Sequence, residues 1–250
     1  MRRSNGIHRL SAMIVVVLGA FPSGGLVRAA EPAAKEDREQ IGEVLEKPVY
    51  RDEIRKDRPL AGELHRLFTQ PVMVKYRREH EKEITPSPAE IDRATAYFDE
   101  QHRERIKDKE ADLRAKLKGV EAELALDDLP AKKRQELERQ KRSLEIQLKP
   151  PGKQFAEYFL GHWKFQRHLY DKFGGGRILW QQAGTEAFDA MRAWLETQEK
   201  AGQFKIADPA LRTNFYEYWT TQKHGASLTA DKEKIREQFL EPEWARRPAK

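Results

Sequence analysis

Ile106, Leu113, Leu117, Val120 and Leu124 follow one another at intervals of seven, four, three and four, and Leu137, Leu144 and Leu148 continue at seven and four. That spacing is the seam of a coiled coil, and most of what lies between is Arg, Lys, Glu or Asp, as on a solvated helix face. Asp127-Asp128-Leu129-Pro130 breaks the first run, with Asp128 placed to cap the second, and Pro150-Pro151-Gly152 ends it. Two helices with one narrow apolar stripe each, joined by a short break, predict an antiparallel hairpin. A first arm from Ala89 to Leu126 would reach roughly 57 Å. A hairpin that buries only a stripe is expected to be the least stable part of the fold.

The segments before the hairpin are of another kind. Ile41 to Tyr50 carries the only convincing strand pattern, with Val44-Leu45 and Val49-Tyr50 on either side of a turn at Glu46-Lys47, and Pro48 confines the second strand to an edge. Leu60, Leu64, Leu67, Phe68, Val72 and Met73 then recur at helical spacing, with Pro71 inside the stretch to kink or divide it. In Ser87-Pro88-Ala89-Glu90, Ser87 is an N-cap, Pro88 takes the first helical position and Glu90 completes a capping box.

After residue 150 the chain turns aromatic. Phe155, Tyr158, Phe159, Trp163, Phe165, Leu169 and Tyr170 occupy so wide an arc that their helix must be buried on more than one side. Gly174-Gly175-Gly176 ends it, Ile178-Leu179-Trp180 reads as extended, and Thr185 is placed to cap a helix whose face is Ala187, Phe188, Met191, Trp194 and Leu195. Asp208-Pro209 opens another with Leu211, Phe215, Tyr218 and Trp219 inward, and a last one runs from about Thr229 to Leu240. The expected fold is mainly α. A compact helical body with a short β-ribbon, residues 31–94 and 151–250, carries a charged helical hairpin at 95–150, and residues 1–30 are set apart as a signal peptide.

That last assignment rests on Arg2, Arg3 and Arg9, the apolar run Leu10 to Phe21, and Val27-Arg28-Ala29 before a cleavage near Ala29 or Ala30. Twelve apolar residues are too few to cross a bilayer core, which takes about 20 in helix. The mature protein is therefore expected in the periplasm or secreted, with no stable membrane insertion. The net charge of +6 is misleading, since residues 1–30 hold four Arg and no acidic residue, leaving 43 basic against 41 acidic side chains. So balanced a chain lacks the field that holds a phosphate backbone, and no nucleic-acid partner is expected. With no Cys, disulfides are excluded in a compartment that permits them.

A search for chemistry returns little. His162 and His168 stand six apart on one helix and cannot share an ion unaided. His80-Glu81 lacks the second His of the zinc-protease helix, position 84 being Ile. There is no Gly-x-Ser-x-Gly elbow and no Cys nucleophile. Gly174-Gly175-Gly176-Arg177 could form an anion nest, although three glycines after a helix are more economically a cap and hinge. No catalytic residue, metal ligand or cofactor is therefore expected. All five Trp lie after residue 160. Most should be core, and the sharper expectation is that Trp180, Phe215, Tyr218 and Trp219 line a groove for apolar stretches of another polypeptide.

The order of elements resembles a family. Glu43-Val44, then Pro48-Val49-Tyr50, a helix such as Leu64 to Glu81, then Ile84-Thr85 and Glu90-Ile91, look like the N-terminal module of the SurA-like periplasmic chaperones and foldases over about residues 41–100. Glu46-Lys47 stands where that family has Asn-Gly, the Gly before Ile84 is absent, and no parvulin segment is found. The resemblance implies ATP-independent binding of unfolded or exported polypeptide clients and gives no basis for prolyl isomerase activity. The alternative expectation is a structural or adaptor protein whose hairpin pairs with a partner helix or with itself as a homodimer, although Glu110 and Lys141 interrupt the seam.

Overall fold

A computed structural model describes residues 38–181, 184–221 and 224–247. The export segment expected at residues 1–30 lies outside the described residues. The fold is mainly α, with two small three-stranded antiparallel sheets among the described residues.

β1 (Gln40–Val44) and β2 (Lys47–Tyr50) form the expected ribbon, with Pro48 on the edge strand. The turn is Leu45-Glu46, one residue earlier than the sequence suggests, because Lys47 already pairs with Val44. Leu45 and Glu46 take φ of 48° and 64° without being glycine. Tertiary contact holds them there: the Leu45 N–H donates to the Gln203 carbonyl at 2.8 Å, and the Leu45 side chain packs on the core.

α1 (Leu60–Leu64) runs through a widened π-turn at His65–Thr69 into α2 (Gln70–Glu79). The wide turn lies directly before Pro71, and the backbone stays helical through Thr69 and Gln70, so Pro71 does not divide the stretch. After α3 (Glu81–Ile84), α4 (Pro88–Ile106) starts at the capping box, with Ser87 Oγ accepting from the Glu90 N–H at 3.3 Å and Glu90 accepting from the Ser87 N–H at 2.7 Å.

The single long arm expected from Ala89 to Leu126 is two helices, α4 and α5 (Glu110–Leu124). Residues 107–112 offer only Ala111 to bury, and the Lys109 N–H closes a tight turn onto the Ile106 carbonyl at 2.8 Å. The two helices also have different commitments. α4 packs on α7 (Gly152–Lys172), with Phe98 edge-on to Phe155 and Phe159, so Tyr97 and Phe98 belong with the body rather than the hairpin. α5 pairs with α6 (Ala131–Leu148), burying Leu113, Val120, Leu137 and Leu144 along the seam read from the heptads. Asp128 does not cap α6, which starts from Pro130 without a side-chain cap.

The rest of the chain closes the body. β3 (Ile178–Gln181) pairs with β4 (Gly184–Glu186), then come α8 (Phe188–Lys200), β5 (Phe204–Ile206) and α9 (Pro209–Thr220), the last capped by Asp208 as expected. Thr185 is not the cap of α8: it lies in β4, and the Ala187 N–H before the helix is taken by Gln166 Oε1 at 2.9 Å. β6 (Leu228–Thr229) joins β3. α10 (Lys232–Ile235), capped by Asp231, starts three residues later than expected, runs on as a π-turn at Arg236–Leu240, and α11 (Glu243–Arg246) lies against α4. β5 is the third strand beside β1, and its approach leaves Gly42 no room for a side chain: a Cβ there would lie 2.2 Å from the Lys205 carbonyl oxygen and 2.9 Å from the Phe68 ring. The main core gathers Phe68, Phe165, Trp194, Phe204 and Phe215 beneath this sheet.

Candidate functional site

The four residues proposed to line a groove do not form an open one. Phe215 is fully buried against Phe68 and Phe204, and Trp219 is 4% exposed. Tyr218 and Trp180 are half-buried, Tyr218 at the edge of the main core and Trp180 in a separate cluster around Ile178 and Phe239. Helical periodicity places such residues on an inner face and cannot distinguish a closed core from a lined cleft.

Tyr218 and Trp219 instead turn their polar ends to a buried carboxylate. Glu186, at the end of β4, accepts from Trp219 Nε1 at 2.8 Å on one oxygen, and on the other from the Tyr218 hydroxyl at 2.9 Å and from Gln181 Nε2. Burial pushes the Glu186 carboxyl above its ordinary range, while these donors pull it back. The proposed glycine nest is likewise filled from within. The Arg177 N–H donates to Asp189 Oδ2 at 2.7 Å, and the Arg177 guanidinium meets the same carboxylate at 2.8 Å. At Gly176, whose φ is 95°, a Cβ would lie 2.7 Å from Asp189.

One constellation was not expected. Glu83, on α3, faces His80 Nδ1 at 3.0 Å and His168 Nδ1, from α7, at 3.3 Å, with Lys172 Nζ 3.9 Å away. The far nitrogen of His168 lies 2.9 Å from the Tyr76 hydroxyl. Burial holds His168 below the usual imidazole range, with Glu83 opposing, and the Tyr76 hydroxyl is pushed up to about 12 by burial and by Glu83 and Glu79. The local signal was His80 and Glu83 at i and i+3. No local pattern marks His168, on α7, as their neighbour.

The hairpin is the other distinctive feature. Among the described residues α5 and α6 pack extensively on each other and on no third element to a like degree. Leu126 at the tip is 59% exposed and Ile146 is 69% exposed. Two shallow concavities lie away from the aromatics, one of about 440 Å³ around Arg77, Arg78 and Thr85, the other of about 470 Å³ on the outer side of α6. Among the described residues no helix is long and apolar enough to cross a membrane. Comparison with protein-family models, with curated proteins and with solved structures gives no match.

Proposed function

We propose that this is an exported protein that binds unfolded or exported polypeptides without ATP and without catalysis, and that the charged hairpin is the part that meets the client. The observation that carries this reading is that, among the described residues, α5 and α6 pack chiefly on each other, with Leu126 exposed at the tip and Ile146 exposed on the flank. Closed packing around Phe215 and Trp219 leaves those side chains little surface to offer a client, which favours this arm. Dense charge of both signs along it suits loose, reversible contact with extended chains, and the resemblance of residues 41–100 to the SurA-like module points the same way. The test is suppression of aggregation of an unfolded outer-membrane protein in the absence of nucleotide. The intact chain should suppress it at stoichiometric ratio, and a chain with residues 110–148 replaced by a short Gly/Ser linker should not. A folded intact chain that is inert at several-fold excess refutes the reading.

A second reading has its own support. Ala111, Ala115, Gly119 and Ala122 are all exposed on the outer side of α5 at spacings of four, four and three, and small residues let another helix approach closely. On that basis the hairpin is an adaptor for a partner helix or for a second copy of itself. Light scattering across a range of concentrations separates the two, since self-pairing predicts a dimer whose mass falls to that of the monomer when Gly119 is replaced by Glu.

A further inference from the structure

His80 and Glu83 come from the corner that follows α2, and His168 comes from the buried side of α7. One ligand atom from each lies within 4.8 Å of the others. We propose that these three residues bind a divalent transition-metal ion, zinc foremost, leaving a fourth position open to water.

The chemistry of the donors selects the ion. Two imidazole nitrogens and one carboxylate suit zinc and its first-row neighbours, whereas calcium and magnesium take oxygen ligands almost alone. With bonds of about 2.0–2.1 Å, the ligand atoms of a tetrahedral ion stand about 3.3 Å apart. His80 Nδ1 lies 3.0 Å from one Glu83 oxygen and His168 Nδ1 lies 3.3 Å from the other, so the carboxylate already faces both rings. To hold an ion the carboxylate must turn one oxygen between the imidazoles and the imidazoles must draw together; Glu83, 49% exposed, and His80, 30% exposed, have the freedom to do so.

The second shell is built as well. A metal-bound His commonly gives its other N–H to an oxygen, which fixes the tautomer and the ring plane. His168, 8% exposed, meets this requirement through the Tyr76 hydroxyl, which leaves Nδ1 bare and facing Glu83. The ion would enter from the solvent side, past the half-exposed Glu83. Lys172, 3.9 Å from that carboxylate and itself 58% exposed, is an ammonium that can swing into water at small cost. Once bound, the ion ties the short α3 turn to α7, so binding should show in stability as well as in spectra.

The experiment is titration of the purified, chelator-treated full chain with Zn²⁺ by calorimetry and with Co²⁺ by visible absorption. One ion per chain is expected, with an intense four-coordinate Co²⁺ spectrum and a rise of roughly 5 °C or more in the melting midpoint at saturating Zn²⁺. His80→Ala should weaken Zn²⁺ by roughly tenfold or more and abolish the Co²⁺ spectrum. Tyr76→Phe, which removes no ligand, should weaken Zn²⁺ by roughly tenfold through the second shell. Absence of a four-coordinate Co²⁺ spectrum in the unmutated chain overturns the proposal whatever the variants do. So does Zn²⁺ affinity that is unchanged in a folded His80→Ala chain.

Discussion

Replacing Glu186 tests whether the aromatic end of α9 is a sealed core or a surface that opens to a partner. The carboxylate is 7% exposed and satisfies three donors, of which the Trp219 N–H is the most enclosed, its residue being 4% exposed. Indole donates and cannot accept, so Glu186→Ala leaves that N–H without a partner, at a cost of about 1–3 kcal/mol. Tyr218 and Gln181 stand nearer the solvent and can turn to water. Lost packing adds about 1 kcal/mol, and release of the buried carboxylate returns about as much. The net expectation is a loss of about 1–3 kcal/mol, a fall of roughly 3–10 °C in melting midpoint for a chain of this size. Glu186→Gln should cost at most about 1 kcal/mol, because its carbonyl can face Trp219 while its amide donates to the Tyr218 oxygen and to a flipped Gln181. Because burial raises the Glu186 pKa, the folded state holds its proton more tightly than the unfolded chain does. That contribution is full below the ordinary carboxylate range and is lost as pH rises through the folded value. Gln imitates the protonated form, so wild type should lose stability relative to Glu186→Gln as pH rises from 4 to 7. The assay is guanidinium unfolding followed by Trp fluorescence at each pH. An Ala variant as stable as wild type, or a Gln variant as damaged as Ala, would refute the sealed-core argument.

Glu63, 2% exposed beneath Arg55 and Arg66, has its carboxyl lowered to about 2, so its stabilisation holds above the ordinary carboxylate pKa and should fade between about pH 4.5 and pH 2. Melting curves of wild type and Glu63→Gln should therefore converge as pH falls through that window. Gly42→Ala drives a methyl into the Lys205 carbonyl and should part β1 from β5, costing roughly 2–4 kcal/mol in chemical unfolding. Leu137→Ala removes a seam residue that is 2% exposed and should lower the opening free energy of the hairpin by about 2–4 kcal/mol. Amide exchange should speed in α5 and α6 while α8 stays protected, and equal acceleration in α8 would show that the hairpin is not a separate unit.

What could be read in advance is what rests on short-range rules. The Ser87–Glu90 box, the Asp208 cap and the edge position of Pro48 each need only a few neighbouring residues, and each stands where the sequence puts it. The heptads predict the α5–α6 seam because a hairpin's partners are near in sequence. Errors arise where a distant segment decides. Thr185 has the chemistry of a cap, yet it is drawn into a sheet beside β3, and Gln166 from α7 takes the Ala187 N–H just before α8. Arg177 has the look of an anion receptor until α8 supplies Asp189. His168 reads as one more packed histidine until the α3 corner brings Glu83 to it.

The same distinction bears on where a partner can bind. In the body, most of the large aromatic groups are packed on one another, Tyr158 being exposed, so a client at α9 would have to displace Phe215 or Trp219 from full contact before gaining anything. In the hairpin, a partner that competes for Leu137 and Leu144 must first give back the seam with Leu113 and Val120, an exchange of like for like with no net gain. Net binding therefore has to come from surface that folding leaves uncovered, which on this arm is the tip around Leu126, the flank at Ile146 and the small-residue side of α5. Those surfaces are narrow and set among charges, so individual contacts should be weak, fast and sensitive to salt. Raising ionic strength without touching the fold should thus weaken a client held by the charged flanks, while a partner helix seated on Ala111, Ala115 and Gly119 should hold its affinity.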